Sequence, residues 1–123
     1  MRLFAALLVC VAALTGCGGH KPDAYAAANT ALLDRVPVYP GAHSPTTSAS
    51  GAGTTAFAAR DWTLPAAARA TAVIDWTVAR LQAKGWSVTG KSFNTIRATR
   101  DGASLSIGVR GRTLEAIANS RGG

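Results

Sequence analysis

The side chains able to act as nucleophile, base or metal ligand in this 123-residue chain are few: two cysteines, two histidines and six acids. His20 and His43 sit in stretches of Gly, Pro, Ser and Thr, where nothing holds an imidazole against a partner as general base catalysis requires. His20 with Asp23 offers two ligands on a loose segment, short of the set a zinc site needs. Gly51-Ala52-Gly53 precedes a strand pattern instead of a helix and lacks a third glycine, so it is no dinucleotide loop. The acids Asp34, Asp61, Asp75, Asp101 and Glu115 fall on different predicted elements, and Asp101 is explained by its turn. These patterns predict a protein that is not an enzyme and holds no cofactor and no metal.

The cysteines carry a different chemistry. Residues 1–16 have the parts of an export signal: Arg2, an apolar run from Leu3 to Leu14, and small residues before Cys17. The run is shorter than the ~20 apolar residues a membrane-spanning helix needs. Leu14-Thr15-Gly16-Cys17 resembles the lipobox of bacterial lipoproteins, in which an aliphatic residue, a small residue and a Gly, Ala or Ser precede the lipidated cysteine. Cys10 follows bulky Val9 and does not fit that pattern. The resemblance implies a diacylglycerol on the Cys17 sulfur, removal of the signal peptide, and acylation of the new amino group by a chain such as palmitate. Two or more acyl chains hold a protein on a bilayer stably, since each buried methylene contributes ~0.8 kcal/mol. The expected location is therefore the bacterial membrane, with the lipid-anchored domain outside the cytoplasm.

Removing 16 of the 123 residues leaves 107, enough for one small domain. Without Arg2, twelve basic residues face six acidic ones, a formal charge of +6. Such a balance inside the cytoplasm would raise nucleic acid as a partner. Export disfavours that reading and points to lipid headgroups, anionic envelope polymers or an envelope protein. With Cys17 acylated, no thiol remains for a disulfide, so stability must come from packing.

The expected organisation is a signal peptide at 1–16, a tether at 17–22, and one domain at 23–123. Pro22 and Asp23 suit a helix start, and Tyr25, Ala28, Leu32 and Val36 form a helical stripe that leaves Asn29, Asp34 and Arg35 to water. Pro37 and Pro40-Gly41 end that helix, and the Ser, Thr, Ala and Gly of 42–53 predict a flexible loop. The β-formers of 54–63 predict a strand. A main helix is expected from about Pro65 to Lys84, stopped by Gly85, with Ala66, Ala70, Val73, Ile74, Thr77 and Leu81 on its apolar face. Trp76 lies one turn before Arg80, on the edge of that face.

The remainder predicts a meander. Asp101-Gly102 and Gly111-Arg112 are two-residue hairpin turns that pair Ile96 with Ile107, Ala98 with Leu105, Ile107 with Ala116 and Val109 with Leu114 on one face. Burial of Trp86 demands a bulge or odd-length loop before Phe93, setting Trp86 against Ile96. The fold class is thus α+β, one main helix on an antiparallel β meander, preceded by a short helix and a strand. That order of elements resembles small envelope lipoproteins of unassigned role. The same register gathers Lys91, Phe93, Arg97, Arg110 and Ile117 on or beside the uncovered face, the expected binding face for an anion. The functional expectation is a non-catalytic envelope binding or interaction module, with a structural or assembly-assisting lipoprotein as the alternative.

Overall fold

The computed structural model describes residues 24–51 and 55–120. Within them the order is α1 (Ala24–Asp34), β1 (His43–Ser50), β2 (Phe57–Thr63), α2 (Ala70–Ala83), β3 (Ser87–Lys91), β4 (Thr95–Arg100), β5 (Ala103–Arg110) and β6 (Thr113–Asn119). The strands form one antiparallel sheet in the order β1-β2-β6-β5-β4-β3. Helix α1 packs on β2 and β6 and α2 on β3, β4 and β5, so both helices cover one face. The fold is α+β, as the patterning predicts. The buried apolar residues among the described ones run from Leu33 to Ala118 and come from both helices, from β2, β4, β5 and β6 and from the links between elements, so a chain beginning after Cys17 keeps all of them.

The meander follows from its turns. Asp101 and Gly102 both take positive φ, 50° and 80°, which matches the right-handed twist of the strands they join and closes Arg100 on Ala103. Gly111 takes φ 58° as first residue of the next turn, closing Arg110 on Thr113. Ile96 then pairs with Ile107, Ala98 with Leu105, Val109 with Leu114 and Ile107 with Ala116. Ala103, Leu105, Ile107 and Val109 are all buried, so alternation in β5 turns one full edge of side chains toward the helices.

Helix α2 ends where the chain passes to β3. Gly85 has φ 88°, its N–H donates to the Gln82 carbonyl, and the Trp86 N–H donates to the Leu81 carbonyl, the paired bonds of a Schellman cap. Val73, Ile74, Thr77 and Leu81 are its buried face. The Arg80 guanidinium lies 5.1 Å from the Trp76 ring, and Tyr39 meets the same ring edge-on at 5.7 Å.

Four expectations are corrected. The main helix starts at Ala70, not Pro65, because Arg112 donates twice to the Leu64 carbonyl. That carbonyl would accept the first helical bond. Ala68 N–H instead donates to the Pro65 carbonyl, and 65–68 close as a turn. Of the stripe expected through Tyr25, Ala28, Leu32 and Val36, Val36 is buried and Leu32 packs against the core, but the fully buried residues of α1 are Leu33 and Asn29, so Asn29 is not solvated. Its start at Pro22 and Asp23 lies outside the described residues.

The segment 42–53, expected as a flexible loop, contains the edge strand β1. Every side chain of β1 is exposed, so burial does not order it. Backbone pairing with β2 does, helped by Arg60, whose Nε donates to Thr47 Oγ1 at 2.8 Å and whose Nη1 meets Asp34 of α1 at 2.9 Å. Residues 52–54 lie outside the described residues. Finally, the bulge before β4 falls between Val88 and Gly90, which buries Trp86 as required, but the pairing is Val88 with Ala98 and Lys91 with Ile96. Trp86 therefore sits just beyond Ser87 and Thr99, and not against Ile96.

Candidate functional site

The uncovered face of the sheet has a continuous row across five of its junctions: Ser48, Ala59, Ile117, Ser106, Arg97 and Gly90 are successive register partners. Arg97 is exposed and Ile117 half-buried on this face, where the sequence puts them. Arg110 is exposed at the end of β5. The other two expected members are elsewhere. The bulge at Thr89 flips parity, so Lys91 pairs with Ile96 on the helix-covered side, and its Nζ meets Asp75 Oδ1 of α2 at 2.6 Å. Phe93 is not in a strand opposite Arg110; it lies in the β3–β4 turn with 72% of its surface exposed. That turn is held by Ser92, whose hydroxyl accepts from Thr95 N–H at 3.1 Å. Cys17 lies outside the described residues.

The uncovered face also carries acids that the sequence scatters. Register sets Asp61 directly opposite Glu115. Burial pushes the Glu115 carboxyl above its usual range, the hydrogen bond to Asp61 and that neighbour's charge push it further, and Arg110 pulls it down. Two cations with a carboxylate pair between their neighbours make a mixed-sign surface. A hollow of about 310 Å³ on this face is bordered by Thr89, Arg97, Ser104, Ser106 and Ile117.

The cations gather more tightly at one end of the helical layer. A cleft of about 600 Å³ opens where α2 ends, β4 ends and β5 begins. Its apolar wall is Ala28, Ala31 and Leu32 of α1 facing Trp86 and Ala103. Arg35, Lys84 and Arg100 border it, with Asp101 as the one acid among the described residues. The three cations are linked through backbone carbonyls: Lys84 Nζ donates to the Arg35 carbonyl at 3.3 Å, and Arg100 Nη1 to the Lys84 carbonyl at 2.8 Å. Arg100 Nε lies 3.6 Å from Asp101 Oδ2. Arg35 and Lys84 each follow the last residue of a helix, where a cation complements the negative end of the helix dipole.

No family model, curated protein or solved structure matches this chain. Among the described residues no helix is long and apolar enough to cross a membrane, and no group of three or more His, Cys, Asp or Glu is placed to hold a metal ion. Sequence reasoning missed the cleft. Its signal is that Arg35, Lys84 and Arg100 all occupy the ends of predicted elements, but which ends meet depends on strand order and helix placement.

Proposed function

We propose that this protein is a lipid-anchored cell-envelope module, non-catalytic, that binds an anionic envelope component through the cleft between α1 and the β4–β5 hairpin. The observation that carries the reading is the convergence of Arg35, Lys84 and Arg100 on one apolar-walled cleft, with a single acid among its described residues. A low-dielectric wall beside cations strengthens their field, which draws anions to such a site. The uncovered face, which lacks Lys91 because that side chain meets Asp75 on the helix-covered side, and which has acids among its cations, is the weaker anion site. Export and anchoring rest on residues 1–16 and Cys17. Asp61 and Glu115, the acid pair set opposite by register, border neither the cleft nor the hollow.

Two measurements test it. Metabolic labelling with a clickable fatty acid should mark the wild type and not Cys17→Ala; label on the variant, or none on the wild type, removes the anchor. Retention of the domain beginning after Cys17 on purified envelope material should fall as salt shortens the screening length. Salt-independent retention would point instead to the second reading, a structural or assembly-assisting lipoprotein. That reading is favoured by β1, whose eight exposed residues leave one strand edge open to another protein. Co-purification with one fixed partner is its signature.

A further inference from the structure

We propose that the ligand of this cleft is a single-chain amphiphile with a phosphate head, an inference that rests on the cleft being an anion site. The two halves of the cleft ask for two kinds of chemistry. Ala28, Ala31, Leu32 and Ala103 offer no side-chain hydrogen bond, and Trp86 is 7% exposed with its indole among them. Small residues on three of these positions leave open volume where larger ones would close α1 onto the hairpin. About 600 Å³ falls within the range of small-molecule sites, ~300 to 1,000 Å³, and far exceeds what a headgroup alone would fill. An acyl chain suits such a wall.

The rim sets the head. Among the described residues three cations and Asp101 give the cleft two net positive charges. A phosphate monoester carries about −1.5 to −2 at neutral pH and balances them, whereas a carboxylate leaves half uncompensated. Donors remain after the internal bonds are made. Lys84 commits one N–H to the Arg35 carbonyl, and Arg100 commits Nη1 to the Lys84 carbonyl. The bond to Arg35 uses its backbone, not its guanidinium. Arginine forks match phosphate oxygens two at a time. Helix α1, which supplies one wall, is the first described element after the expected tether, so an acylated Cys17 would keep the cleft close to a bilayer.

The test is calorimetric titration of the domain beginning after Cys17 with dodecyl phosphate below its micellar concentration. Inorganic phosphate, dodecanoate and neutral monododecanoylglycerol run in parallel. Dodecyl phosphate should bind one to one and at least about ten-fold more tightly than each of the other three. Ala31→Trp fills the cleft from an exposed helix position, where the melting temperature should not change. It should cost the amphiphile about ten-fold and leave inorganic phosphate unaffected. Ala28→Leu is a second filling variant with the same expectation. Inorganic phosphate binding as tightly as dodecyl phosphate would overturn the ligand class while leaving the anion site standing. A neutral chain binding equally well would overturn the phosphate head. Dodecyl phosphate binding that survives replacement of Arg35, Lys84 and Arg100 by Gln would overturn both the ligand class and the anion site.

Discussion

The side chain of Asn29 holds the far end of the chain. Its Oδ1 accepts the Ser120 N–H at 2.6 Å, while its buried Nδ2 has no partner among the described residues. Asn29→Ala leaves the Ser120 N–H unsatisfied, so it should cost about 1–3 kcal/mol. Denaturant unfolding and faster exchange of the Ser120 amide report it; an unchanged midpoint would show that the bond contributes nothing. Glu115 acts through pH. Its folded carboxyl holds a proton at pH values where the unfolded chain, with an ordinary value of about 4.3, has lost it. The folded state thus binds more protons in that window, and stability falls as pH rises through it. Glu115→Gln removes the fall, so the variant should gain on the parent between about pH 4 and about pH 7, read by thermal melts. Equal differences at both values contradict it. At this scale the sequence was a poor guide: Asn29 reads as a solvated helix residue and Glu115 as an isolated acid, because each is defined by a partner some distance along the chain, Ser120 and Asp61.

Where one element ends and the next begins, local chemistry was more telling. Gly85 ends α2 at φ 88°, with Arg100 Nε 3.9 Å from where a β-carbon would sit, so a side chain there meets conformational cost and no clash. Gly85→Ala should therefore destabilise by about 1–2 kcal/mol, the penalty of left-handed backbone for an L-residue. Chemical denaturation measures it; a neutral result would mean that the cap relaxes. The hairpins at Asp101-Gly102 and Gly111-Arg112 were legible for the same reason, since positive φ is written into the residue types. β1 was not, because a strand that buries no side chain carries no pattern of apolar residues. The start of α2 was hidden by Arg112, a residue from another turn that takes the Leu64 carbonyl. The bulge at Thr89 was legible from the need to bury Trp86, yet its consequence for Lys91 was not, since parity changes only after the bulge is located.

For the molecule as a whole, one-sided helical cover leaves two surfaces for partners, an open sheet face and the cleft where three element ends meet. The open face follows from strand alternation and was readable in the sequence as Arg97, Arg110 and Ile117. The cleft needs the positions of α1 and of the β4–β5 hairpin together, which no local pattern encodes. The most direct measurement compares two variants of the domain beginning after Cys17 for binding to anionic vesicles across a salt series. One replaces Arg35, Lys84 and Arg100 by Gln, the other Arg97 and Arg110. Each basic group near a charged membrane contributes about 1 kcal/mol, so the cleft variant should lose most of its affinity and its salt dependence. The open-face variant should keep both. Losses proportional to the number of charges removed, whichever face they come from, would contradict a cleft that binds anions and leave only net charge.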